Sequence, residues 1–212
     1  MHGWRWHSDR VPEQSERRTQ QQRRADTERR VIDAATELIA ARGSRAVTLG
    51  EVGRAAGYSR GIVHSHFGSR EQLLEAVVRA AQRFPVPEVP GPGLDRLGAV
   101  VRAYVANLSA RTPATGAFLL LWSESIAGEP GLEALFGERD TSFRADLAAL
   151  VRAGVDDGSV RADADPDAVA VLLLGLLRGI GMQLASATGA GIDDAIAART
   201  ADFVTAGLRA SP

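Results

Sequence analysis

The stretch TLGEVGRAAGYSRGIVHSHFGSR, residues 48–70, carries the reading of the whole chain. Thr48 can cap a short helix, and Glu51 stands three residues on, where a capping box needs it. Leu49, Val52 and Ala56 make the apolar side of that helix, and Gly57 breaks it. Ser59 caps a second short helix, Arg60–Phe67. Val63 and Phe67 are four apart, so they point the same way, into the core. Gly68 ends this helix and Ser69 caps the next, whose buried stripe is Leu73, Leu74, Val77 and Val78. Two short helices joined by a glycine-containing turn, Ala55-Ala56-Gly57-Tyr58-Ser59, form a helix-turn-helix pattern.

In that pattern the second helix reads the major groove. Its outward side would present Arg60, Gly61, His64 and part of Ile62. Arg60 lies in the first turn, within reach of a base edge, and arginine paired with guanine is the commonest specific contact. Gly61 lets the backbone approach the duplex closely. The helix N-termini at Thr48, Ser59 and Ser69 offer free N–H groups suited to phosphate.

Working outward, Val31, Ile32, Ala35, Leu38 and Ile39 recur at helical spacing, and Gly43 follows as a stop. Thr27 is the expected N-cap of that helix. Residues 1–26 carry arginine, glutamine and serine without an apolar period. They read as a disordered arm, either a plain extension or a DNA-touching segment carried by Arg17, Arg18, Arg23 and Arg24. Pro85, Pro87, Pro90 and Pro92, with Gly91 and Gly93, make a breaker-rich linker. The expected units are therefore residues 27–84 and 93–210.

Beyond the linker the pattern is helical throughout: Leu94–Leu108, Pro113 to about Ala127, Leu132–Ala153, Pro166 to about Ala187, and Ile192–Arg209. No strand alternation is visible. The fold class is all-α: an N-terminal three-helix helix-turn-helix unit and a larger C-terminal helical unit.

Charge divides the same way. Residues 1–84 hold 15 arginines against 10 carboxylates, and residues 85–212 hold 10 against 16. A basic front and an acidic back point to a polyanionic partner for the front half. There is no cysteine, which excludes disulfides and thiolate metal sites. The apolar run Ala168–Leu177 ends at Arg178 and is too short to span a bilayer, and no secretory h-region is visible. The expected location is the cytoplasm.

The segment Thr48…Gly57-Tyr58-Ser59-Arg60-Gly61-Ile62-Val63-His64-Ser65-His66-Phe67-Gly68-Ser69-Arg70…Leu73-Leu74 resembles the DNA-binding domain of the TetR family of transcription regulators, over about residues 27–75. The resemblance implies a dimeric repressor on palindromic double-stranded DNA, released by a small apolar or amphipathic ligand. It implies that Thr48 touches phosphate while capping. It places Tyr58, Arg60, Gly61 and Ile62 at bases or sugar and His64 and His66 at the backbone, with Ser59 at the helix start. Arg70 would clamp a phosphate. His64 replaces the usual tyrosine, Ile62 a smaller residue, and Arg70 the usual lysine.

His64 and His66 lie two apart on a helix, about 200° around its axis, so they do not chelate one metal. No metal, cofactor or catalytic constellation is expected, and the chain does not read as an enzyme. The apolar helix 167–187, with Gly175 and Gly179, and the helix 192–209 are expected to pair with a second copy as a four-helix bundle. Tyr104, Phe118, Trp122 and Met182 are either core or the lining of a ligand cavity. Arg178 and Glu124 are charges in apolar surroundings. They pair with each other, meet the second subunit or orient a ligand. The competing function is a helical small-molecule or protein-binding module that keeps the helix-turn-helix as scaffold.

Overall fold

A computed structural model describes residues 20–81, 89–129, 131–186 and 195–210 of the chain. Helices dominate, and no β-strand occurs among the described residues. In the N-terminal unit, α1 (Gln20–Arg42), α2 (Leu49–Ala56), α3 (Arg60–Phe67) and α4 (Arg70–Ala81) follow one another. In the C-terminal unit come α5 (Gly93–Ser109), α6 (Pro113–Ile126), α7 (Leu132–Asp156), α8 (Pro166–Ala185) and α9 (Ile196–Leu208).

The capping chemistry places these elements. Thr48 accepts from the Glu51 N–H, and the Glu51 carboxylate accepts from the Thr48 N–H at 3.0 Å, a complete capping box. Gly57 closes α2 at φ +79°, a left-handed backbone that favours glycine. Ser59 caps α3 through the Ile62 N–H, and Ser69 accepts from the Gln72 N–H. Thr112 caps α6 and Asp165 caps α8, each with proline in the first turn, where its missing N–H costs nothing.

Two boundaries differ from the sequence expectation. The first helix begins at Gln20, so residues 20–26 belong to α1 rather than to an arm, and Thr27 lies inside it with its hydroxyl donating to Arg23 O. Gln, Arg and Ala are strong helix formers, and they extend the helix without any apolar stripe. The last helix begins at Ile196. Residues 192–194, the Gly189–Gly191 turn and most of the proline linker lie outside the described residues, as do residues 1–19.

Val31, Ala35 and Ile39 of α1 form the N-terminal core with Val52, Val63, Phe67, Leu73, Leu74 and Val77. In the C-terminal unit α5 packs between α7, α8 and α9. The sixth helix is the joint: it touches α1 and α4 on one side and α7 and α8 on the other. By length and composition α8 is apolar enough to cross a membrane. Half of it is packed inside the chain.

Candidate functional site

The third helix, α3, is braced from beneath. Val63 and Phe67 are buried, whereas Arg60, Gly61, Ile62 and His64 are exposed and His66 is half-buried. The brace has a close point that the sequence reading missed. A Cβ at Gly53 would stand 2.9 Å from Tyr58 O, so α2 and the turn approach at a distance only glycine allows.

Thr48 and Ser59, the two caps, are exposed. Tyr58 is half-buried, and the Arg30 guanidinium carbon lies 5.6 Å from its ring centroid. A hydrogen bond with Thr27, then one with Arg30, holds the Tyr58 phenol below its ordinary range. The first helix thus sits beside the turn and presents Arg23, Arg24, Arg29 and Arg30 near it. One cleft is lined by Gln20, Arg23, Arg24, Thr27, Ser65 and His66, which places α1 arginines next to α3.

Arg70 sits differently from the phosphate clamp that the resemblance implies. Its Nη2 donates to Ser44 O at 2.7 Å, its Nε to Val47 O at 3.4 Å, and its Nη1 is 3.5 Å from a Glu129 oxygen. The guanidinium is engaged by protein acceptors in the α1–α2 loop and after α6. Arg45 joins the same carboxylate, Nε to Oε2 at 2.8 Å.

Next to this bracket stands Glu124, near the end of α6. It accepts the Ser44 N–H at 3.0 Å and the Ser44 hydroxyl. Glu124 therefore does not pair with Arg178. Gly43, at φ +75°, makes room, since a Cβ there would be 3.0 Å from the Glu124 carboxylate.

Arg178 is 5% exposed. Its Nη2 donates to Asp140 Oδ1 at 2.5 Å. Its guanidinium carbon lies 4.7 Å from the Phe118 ring centroid and 5.2 Å from that of Trp122. Phe118 contacts Phe136, and Tyr104 stacks on Phe143, both at 5.6 Å between centroids. Burial raises the Tyr104 phenol above its ordinary range, Arg178 lowers it and Asp140 adds to the rise. Four of the five residues expected at a ligand centre thus come together. Met182 does not: it is 42% exposed and lines a separate groove of about 660 Å³ with Leu108, Leu119 and Ser186.

In the C-terminal unit, Val171, Leu172, Gly175 and Gly179 of α8 and Phe203 of α9 are exposed. Leu172 is 72% and Phe203 73% exposed. A Cβ at Gly175, Gly179 or Gly207 would meet nothing within 4 Å.

Comparison with known proteins follows the same division. The family model for bacterial regulatory proteins of the tetR family matches residues 31–77, and that for the C-terminal part of BetI-type transcriptional repressors matches residues 93–209, more than half of the chain. A curated relative is the HTH-type transcriptional repressor KstR2 of Rhodococcus jostii (strain RHA1). It is 29% identical over 140 residues, covering 64% of this chain and 68% of the relative. Among solved structures, the fatty acid degradation regulator FadR from Bacillus halodurans superposes with a TM-score of 0.73 at 20% identity, over 85% of this chain and 99% of that one. A transcriptional regulator from Saccharomonospora viridis, solved in complex with choline, gives 0.65 at 24% identity over 86% and 95%.

Proposed function

The chain belongs to the TetR family of bacterial regulatory proteins, and from that premise we propose that it is a homodimeric repressor in the cytoplasm that binds a pseudo-palindromic operator and releases it when a small molecule enters the C-terminal unit. The family consists of transcription regulators, not enzymes. The observation that carries the DNA-binding reading is the two-sidedness of α3. Val63 and Phe67 fix it, and Arg60, Gly61, Ile62 and His64 face outward from a helix whose N-terminus is capped by Ser59. Two such helices, one per subunit, would read half-sites one helical turn apart or a multiple of it.

Thr48, Tyr58 and Ser59 flank the start of that helix, His66 lies in its last turn, and these four would meet sugar and phosphate. Arg70 takes a different part in this reading. With Glu124 and Glu129 it ties the loop before α2 to the end of α6. The uncovered face of α8 and α9 is taken by the second subunit, with Gly175 and Gly179 admitting the partner helix closely. The ligand enters at Tyr104, Phe118, Trp122 and Arg178. Phe118 and Trp122 lie one turn apart on α6, the helix whose Glu124 bonds Ser44 of the α1–α2 loop. A ligand that binds one setting of α6 better than another would shift the spacing of the two reading helices.

The test is a salt-dependent mobility shift of purified full-length protein on the DNA upstream of its own gene. Binding there, weaker on unrelated duplex, supports the reading. No binding to any duplex in dilute buffer would leave the helix-turn-helix as scaffold only.

A further inference from the structure

The buried charge at the centre of the C-terminal unit does not balance. Arg178 meets one carboxylate, Asp140, through one nitrogen. Its Nε and Nη1 are enclosed by protein and have no acceptor among the described residues. The Nε of Arg139, the residue before Asp140, is in the same position. Desolvation pulls Arg139 below the ordinary arginine range, and repulsion from Arg79 and Arg178 adds to this, while Asp140 and Glu75 oppose it. Arg79 and Glu75 are already an ion pair with each other. Arg178 alone is bonded to Asp140, Arg139 lies in the field of Asp140 and of the already paired Glu75, and three enclosed donors are left over.

An aromatic-lined centre is able to hold a cation or an apolar body with a polar group. Here the aromatic faces of Phe118 and Trp122 are already covered by Arg178. A second cation would find those faces taken and would meet two positive groups. An acid group does the reverse: it supplies acceptors to the enclosed N–H groups and neutralises the excess charge, in surroundings where charge-assisted hydrogen bonds are strong.

Building on the reading of this unit as the ligand-binding part, we propose that the ligand is an amphipathic carboxylate, its acid group held by Arg178 and Arg139 and its apolar body among Phe118, Trp122 and the Tyr104–Phe143 stack. The choice is opposite in sign to the choline held by the Saccharomonospora viridis regulator.

The probes are octanoate, octyltrimethylammonium and 1-octanol, which share an eight-carbon body and differ in head charge. They are titrated into full-length protein carrying Trp4→Phe and Trp6→Phe, so that Trp122 is the sole tryptophan and its emission reports the site. Octanoate should shift the emission saturably and raise Tm, with an affinity at least tenfold above that for either other probe. Arg178→Gln should lower octanoate affinity at least tenfold. Arg139→Gln, at a less buried position, should lower it several-fold and serves if the Arg178 variant does not fold. Tighter or equal binding of the ammonium or the alcohol at Trp122 would overturn the anion assignment and leave the ligand site standing. If none of the three probes moved Trp122, the placement of the ligand there would fall as well, whatever the protein did to DNA.

Discussion

The carboxylate of Glu124, near the C-terminus of α6, accepts both the backbone N–H and the hydroxyl of Ser44, 80 residues earlier in the loop between α1 and α2. Ser44 is fully buried, so its N–H has no water to turn to. Glu124→Ala would leave that donor unsatisfied, at a cost of about 1–3 kcal/mol, which is roughly 2–12 °C in Tm for a chain of this size. Ser44→Ala would keep the backbone bond, lose only the hydroxyl's bonds to Glu124 and from Arg70 Nη2, and cost less. Thermal unfolding of the two variants checks this order. Equal losses would mean that the hydroxyl, not the N–H, is what Glu124 serves.

Arg70 gives a prediction opposite to the one its family position implies. A phosphate clamp removed by Arg70→Ala would lower the slope of log affinity against log salt by about one. Because the guanidinium is bonded to Ser44 O and Val47 O and lies beside Glu129, the variant should instead lose stability, by about 1–2 kcal/mol. The salt slope should stay as it was. Anisotropy titrations at several salt concentrations separate the two roles.

Arg60 is exposed in the first turn of α3, with no core function to lose. Arg60→Ala should leave the stability within about 0.5 kcal/mol of the parent. It should weaken operator binding by about 1–3 kcal/mol and relax the preference at one base position. Unchanged affinity would take Arg60 out of the reading face.

How much of this was legible follows from chain distance. The capping box at Thr48, the Ser59 cap and the Val63–Phe67 brace are contacts across three or four residues, and helical spacing alone reveals them. The start of α1 was missed because polar helix formers such as Gln20, Arg23 and Arg24 leave no apolar period, while Thr27 imitates a cap. The roles of Arg70 and Glu124 depend on Ser44, which each reaches across tertiary packing, and the partner of Arg178 lies 38 residues away. Met182 shares a helix side with Arg178 by spacing, yet one turn further on it faces the separate groove beside Leu108 and Leu119.

Acid should weaken the fold in a way that Thr48 modulates. The Thr48 hydroxyl, then the Thr48 N–H, holds the Glu51 carboxyl below its ordinary value of 4.5. The Ser159 hydroxyl and the Gly93 N–H do the same for Asp157. A carboxyl lowered in the folded state contributes stability that is complete above its unfolded value and is lost as pH falls through its folded one. Thr48→Ala removes the largest cause of the Glu51 shift. The gap in Tm between parent and variant should therefore be wider at pH 7 than at pH 3; a gap that does not narrow would assign the loss to the Glu51 N–H bond alone.

Leu172 and Phe203 expose nearly three quarters of their surface, and Gly175 and Gly179 have open space above them. Such a face on a free subunit is an association hazard unless a partner covers it. A charge placed there costs the single subunit little, because the side chain already meets water. In a dimer the same charge is buried without a partner and is expensive. Phe203→Asp and Leu172→Glu should accordingly keep their helical content and Tm at low concentration, while sedimenting as monomers at micromolar concentration, where the parent sediments as a dimer. Operator affinity should fall sharply in both, since one reading helix then binds without its twin. A parent protein that sediments as a monomer would remove the dimer. A dimer that survives both charges would place its interface elsewhere than on α8 and α9.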